Sequence, residues 1–112
     1  MNIEATTIAY LADLEIPVYA ERPANPPGTY LLVEKTGAEA VNFINQDTVV
    51  ISAVAPSKFE TSELCDEVID AMMQITEEES DITACSLESA YDDTDTALKD
   101  YRYTAVFNIS HY

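Results

Sequence analysis

Residues 48–76 decide the fold, with the sequence TVVISAVAPSKFETSELCDEVIDAMMQIT. The first part, Thr48–Ala55, is rich in β-branched residues and predicts a strand. Ser57 and Glu60 then match a capping box, because the serine oxygen can accept from a free helix amide while the glutamate reaches back three residues. The following helix is predicted to run to about Thr76. Its expected buried stripe is Leu64, Val68, Met72 and Ile75.

Downstream of this helix, the charged stretch Glu77–Asp81 is predicted to be a link, and Ile82–Tyr91 a strand. Lys99–Tyr112 alternates with a period of two, which predicts a strand with one packed side. The loop Asp92–Leu98 is short enough for these two strands to form an antiparallel hairpin. The residues expected on the packed side of the last strand are Tyr101, Tyr103, Ala105, Phe107 and Ile109.

Upstream, residues 3–14 predict a short amphipathic helix with Asn2 as its N-cap. A residue before proline avoids the helical region, so 16–19 is expected to be extended. The remaining predicted elements are a proline-rich loop at 21–28, a central strand at Thr29–Lys35, and a turn from Gly37 to Asn45 with a short strand piece around Val41–Ile44.

The element order is therefore α-β-β-β-α-β-β. This order predicts an α+β fold, in which two helices pack on one face of a mainly antiparallel sheet of four to five strands. A length of 112 residues predicts a single domain over 1–112.

The net charge limits the classes of protein to which the chain can belong. The chain has 21 acidic and five basic residues, for a net charge of −16, and its hydrophobic fraction of 47% is sufficient for a folded core. A strongly negative protein repels phosphates, so specific nucleic acid binding and binding to an anionic membrane are not expected. A basic signal sequence and an apolar run of about 20 residues are both missing from the printed sequence, which predicts a cytoplasmic origin.

The sequence contains no recognisable catalytic set, so we expect a protein that is not an enzyme and needs no cofactor or metal. His111 is expected to be a solvated tail residue, and Cys65 and Cys85 to be reduced thiols. The run of Asp92, Asp93 and Asp95 lacks the central glycine and the closing glutamate of an EF-hand, which favours a solvated loop. A metal-dependent enzyme built on these three aspartates stays open as an alternative.

The layout of nearly the whole chain resembles the small tail terminator or tail-completion proteins of long-tailed bacteriophages and prophages. The features that carry this resemblance are the N-terminal helix leading into IPVY at 16–19, the connection from Arg22-Pro23 to Pro27-Gly28 before YLLVEK at 30–35, the strand ending ISAVA at 51–55 before the capped helix, and the closing strand YRYTAVFNI at 101–109.

The resemblance implies a structural role in virion assembly. Such proteins form a homo-oligomeric ring, commonly a hexamer, on the finished tail tube, and they contact the tail-tube protein and the head connector. Ring closure requires two different patches on each subunit. The expected contact arms are the proline-rich loop, with Arg22, Pro23, Pro26 and Pro27, and the hairpin loop, with Asp92, Asp93 and Asp95. The alternatives are an acidic protein-interaction domain or a DNA-mimic inhibitor of a nucleic-acid-binding enzyme.

Overall fold

The computed structural model describes residues 1–41, 44–97 and 100–112, and the side chain of Val41 lies outside that description. Three helices form one layer: α1 (Ile3–Leu11), continued by a 3-10 turn at Ala12–Leu14, α2 (Lys58–Met72) and the short α3 (Ile75–Glu78). The strands form the other layer: β1 (Val18–Tyr19), β2 (Tyr30–Val41), β3 (Ile44–Val54), β4 (Ile82–Asp92) and β5 (Arg102–His111).

The five strands form one mixed sheet in the order β1-β2-β3-β5-β4. β1 runs parallel to β2, and the other neighbours are antiparallel. The predicted α+β class, the element order and the closing hairpin β4–β5 are confirmed. Two of the strands contain β-bulges, at Thr36 in β2 and at Thr83 and Glu88 in β4.

Both predicted N-caps are confirmed. The Asn2 side chain accepts from the Ala5 amide at 3.1 Å. Ser57 Oγ accepts from the Glu60 amide at 3.2 Å and donates to the Glu60 carboxylate at 3.0 Å. These contacts satisfy amides that have no partner within the helix, so each helix begins at the residue after its cap.

The core lies between the helices and one face of the sheet. Leu31 and Val33 of β2 pack there with alternate residues of β3 and β5, among them Ile51 and Phe107. The predicted helix stripe is confirmed as buried, and all of its members belong to this core: Leu64, Val68, Met72 and Ile75.

Three predictions of secondary structure are corrected. The helix does not run to Thr76, because α2 ends at Met72 and Ile75 begins the separate helix α3. Glu77 and Glu78 therefore lie in α3 instead of in a link. The predicted turn from Gly37 to Asn45 is wrong, since residues 37–41 continue β2 in register with β3. The predicted strand piece at Val41–Ile44 is strand at both its ends, and its middle, 42–43, lies outside the described residues.

The prediction of a central strand at Thr29–Lys35 holds for its first half alone. β1 covers Leu31 and Leu32, so β2 is an interior strand there. From Val33 to Val41 the described structure pairs β2 with β3 alone, which makes that part an edge. No helix in the described ranges is long and apolar enough to cross a membrane.

Candidate functional site

The face of the sheet opposite the helices has no helix packed on it in the described structure. We call it the open face. Besides the buried Ser52 and Thr104 and the exposed Tyr91, it includes these half-buried or exposed side chains of β3, β5 and β4: Gln46, Thr48, Val50, Val106, Asn108, Ser110, Ala84, Ser86 and Ser89. The Thr48 hydroxyl donates to the Asn108 amide oxygen at 3.3 Å across neighbouring strands. Around Thr48 and Asn108 the open face is thus a pleated surface of short, neutral side chains.

A depression of about 520 Å³ lies on the open face, beside the last part of β2 and the first part of β3. Its lining offers hydroxyl and amide groups, with the exposed Glu39 carboxylate at its margin. The lining residues include Gly37, Gln46, Thr48, Ser86, Asn108 and Ser110.

The helix layer has the opposite character. Exposed carboxylates cover the outer side of α2 and continue through α3 into the segment before β4. These residues are Glu60, Glu63, Asp66, Glu67, Asp70, Glu77, Glu78 and Asp81. Among the described residues, the register places Glu34 and Glu39 on β2 and Arg102 at the start of β5 on the open face. The sheet therefore separates a carboxylate-rich layer from one that carries few charges.

The two predicted contact arms lie at the same end of the sheet but at opposite edges. The proline-rich loop joins β1 to β2, so it belongs to the β1–β2 edge; Arg22 is exposed, and Pro23, Pro26 and Pro27 are half-buried. The hairpin loop follows β4 at the other edge. Asp92, predicted as the first loop residue, is instead the last residue of β4, and it is exposed like Asp93 and Asp95. Its residues Leu98 and Lys99 lie outside the described residues.

The hairpin loop is organised by its own carboxylates. Asp92 accepts from the Thr94 amide at 3.0 Å and lies 3.3 Å from the Lys58 ammonium. The contacts with Thr94, the hydroxyl first, and the Lys58 charge hold the pKa of Asp92 below its usual value. Asp95 accepts from the Ala97 amide at 3.1 Å, and its backbone pairs with Asp100. Two of the three predicted loop carboxylates thus shape the loop.

His111 contradicts the expectation of a solvated tail residue. Its side chain is 3% exposed and its Nε2 lies 2.6 Å from Oδ2 of Asp47, which is 6% exposed. Nδ1 lies 3.0 Å from the carbonyl oxygen of Tyr112. Both neighbours are oxygen acceptors, so each ring nitrogen that carries a hydrogen can donate to the oxygen beside it. Sequence reasoning missed this pair because its members are 64 residues apart.

The two thiols are free, as expected, and neither is activated. Burial raises the pKa of Cys65, and that of Cys85, to about 11. The Tyr10 hydroxyl donates to the Ala71 carbonyl at 2.6 Å and ties α1 to α2. Burial and then the nearby Glu78 and Glu77 charges raise the pKa of Tyr10. These groups hold the packing together and lack the environment of a nucleophile.

In the ranges 1–41, 44–97 and 100–112, no group of three or more His, Cys, Asp or Glu side chains has the spacing to hold a metal ion. Asp92, Asp93 and Asp95 are therefore not gathered into one such group. No protein-family model matches this sequence, and no curated protein matches it.

Proposed function

We propose that this chain is a structural protein of virion assembly that forms a homo-oligomeric ring at the end of a phage tail tube. The ring stops tube polymerisation and joins the tail to the head connector. It is assembled in the bacterial cytoplasm and remains in the tail or neck of the virion. The observation that carries the proposal is the separation of an acidic helix layer from an open face that carries few charges.

This separation matters because the chain has a net charge of −16. Copies with so large a charge repel one another, and contact between two carboxylate-rich surfaces is costly. The open face and the strand edges beside it are where two protein surfaces can approach with the least repulsion. The acidic layer then faces solvent or the DNA path, where negative charge prevents binding to phosphates.

A DNA-mimic inhibitor is the alternative that one observation favours. Glu63, Glu67 and Asp70 are exposed on α2, and their spacing of four and three residues places them in one row along the helix. A row of carboxylates can imitate the phosphates of a nucleic acid strand. Further carboxylates continue on α3 and on the segment before β4, away from this row. A mimic would use the acidic layer, whereas the ring protein uses the open face and the edges.

The first test is the mass of the purified chain in solution, measured by light scattering over a salt series. Screening shortens to a Debye length of about 8 Å at physiological ionic strength, so self-association should strengthen as salt rises. A single larger species of fixed stoichiometry is expected. A chain that stays monomeric throughout the series contradicts the ring.

The second test separates the two functions. The chain is mixed with the tail-tube protein encoded in the same genome, and tube lengths are measured by electron microscopy. The ring protein should sit at tube ends and shorten the tubes. Capture of a nuclease or polymerase from host lysate, with no effect on tubes, would support the mimic and overturn the proposal.

A further inference from the structure

We propose that copies of this chain join head to tail through their sheet edges, with β4 of one copy pairing antiparallel to the Val33–Val41 part of β2 in the next. This inference deepens the proposed function and rests on its premise that the chain assembles with itself. The observations behind it are two open strand edges, their matching geometry and their unequal charge.

Both edges present backbone groups that other strands could use. The Leu31 amide donates outward to the Pro17 carbonyl, so alternate β2 residues such as Val33 also face outward. At the other edge the Asp93 amide donates to the Arg102 carbonyl, which turns the backbone groups of Asp92 and Ala90 away from β5. In the described structure β4 pairs with β5 alone. An open edge of this length is a template for a further strand.

The side chains of β4 also fit an edge that is covered in an assembly. Leu87 is 39% exposed and Tyr91 46% exposed, and they lie in the middle and last part of β4, on either side of its bulge at Glu88. Apart from Ile82 and the half-buried Cys85, every residue of β4 is exposed. Strand addition would cover the backbone edge and part of this apolar surface.

The outward-facing residues of the two edges lie at the same heights in the sheet. Reading the pairing across β3 and β5 places Val33 level with Ala90 and Lys35 level with Leu87. The same reading places Ala38 level with Cys85. When two copies lie side by side without a shift along the strands, the outward-facing backbone groups of β4 in one copy therefore lie opposite those of β2 in the next.

The directions of the strands are compatible with a closed ring. β2, β3, β5 and β4 alternate in direction across the sheet. When the next copy is related by rotation about an axis along the strands, its β2 runs antiparallel to the first copy's β4. The alternation thus continues across the interface, and repeated addition closes a ring if the rotation divides a full turn.

Charge distinguishes this arrangement from a symmetric dimer. Arg22 and Lys35 lie at the β1–β2 edge, where β2 also carries the exposed Glu34 and Glu39, and neither cation forms an ion pair with any residue that the structure describes. Glu88 and Asp93 lie at the β4 edge and are exposed. Head-to-tail pairing places Glu88 and Asp93 of one copy near Arg22 and Lys35 of the next copy, across the interface. The cations are therefore available to an acidic partner edge.

Antiparallel pairing of β4 with β4 of a second copy would bring like charges together. The end of β4 in one copy would approach its start in the other. Asp92 and Asp93 would then face the acidic segment Glu77–Asp81 of the other copy, and this would happen twice. Like charges so arranged disfavour that dimer.

One contact has to change on assembly. The Lys35 amide donates to the Glu4 carboxylate at 2.8 Å, so α1 occupies part of the β2 edge. Glu4 is half-buried, and its carboxylate ends a flexible side chain. In the single copy this carboxylate blocks part of the β2 edge, and it must move away when β4 of the next copy pairs there.

The test uses two complementary charge variants of the full chain. The first carries R22E and K35E, and the second carries E88K and D93K. Each alone should need about tenfold more protein to assemble than the unchanged chain, since each places like charges across the interface. An equal mixture should assemble as well as the unchanged chain, because every interface in an alternating ring is again complementary. The matched control, E63K with D70K, has the same net charge as the second variant but alters α2, and it should assemble.

A third variant, A90P, removes an outward amide of β4 without removing a bond to β5, and it should assemble poorly while keeping its circular dichroism spectrum. If A90P unfolds, the charge mixture decides. An unchanged chain that is monomeric overturns both this inference and the ring function. An assembled chain whose two charge variants behave like it overturns the edge pairing alone. So does a result in which E88K with D93K assembles better than the unchanged chain while R22E with K35E assembles like it, because a β4–β4 dimer would behave in that way.

Discussion

The two faces of the sheet differ in how their side chains are held. On the helix-covered face, Phe107 and Ile51 are completely or almost completely buried, and the polar pair there, His111 and Asp47, is bonded within the core. On the open face the intervening residues Val106 and Val50 are half-buried. Along one strand, residues that face the helices therefore stabilise the core, and the residues between them remain available for contact on the open face.

The largest expected effect comes from the packed face. Replacing Phe107 with alanine should lower the free energy of unfolding by about 3–5 kcal/mol, because a fully buried ring leaves a cavity. The matched change, Val106→Ala on the open face of the same strand, should cost about 1 kcal/mol, since roughly half of the removed surface is already in water. Urea unfolding at one fixed protein concentration measures both. Similar costs for the two variants would contradict the difference between the faces.

A somewhat smaller effect is expected from the buried pair of Asp47 and His111. Asp47→Ala should cost about 3 kcal/mol, because it leaves His111 buried without its acceptor. Removing both partners should cost less than the sum of the two single changes. Asp66→Ala, which removes an exposed carboxylate of α2, serves as the control and should stay within about 0.5 kcal/mol. Strictly additive costs in the double variant would mean that the two side chains do not interact.

The smallest effect is expected at the end of β4, where the exposed Asp92 carboxylate contacts Lys58. Its pKa is lowered in the folded chain, so its stabilising contribution is present above the unfolded value of about 4 and disappears as the pH falls through the folded value. Asp92→Asn should therefore change unfolding slightly at pH 7 and not at all at strongly acidic pH. A nuclear magnetic resonance titration of the carboxyl group checks the direction of the shift. An Asp92 pKa above its usual value would show that Thr94 and Lys58 do not contact it as described.

Local signals in the sequence predicted much of this architecture. The capping box at Ser57 and Glu60 marked the start of α2, and the period of two marked β5 with its packed side. Both signals act over a few residues, so the chain carries them wherever it folds. The stripe from Leu64 to Ile75 was equally readable, although the break between α2 and α3 was not.

Signals that depend on distant partners were missed or misread. The segment from Gly37 to Asn45 was predicted to be a turn, but pairing with β3 keeps residues 37–41 in the sheet. The two contact arms were predicted as loops, yet no pattern along the chain indicated that they lie at one end of the sheet and on opposite edges. That placement follows from the strand order, which no local pattern encodes.

The sequence by itself determined the α+β class, the helix caps, the alternation of the last strand and the large negative charge, because each depends on composition or on neighbours along the chain. The tertiary structure decided which face stays open, which edges remain unpaired and that His111 meets Asp47. These features depend on contacts between residues far apart in the chain. Their formation is governed by the packing of whole elements, in which the burial of the common core outweighs local preference.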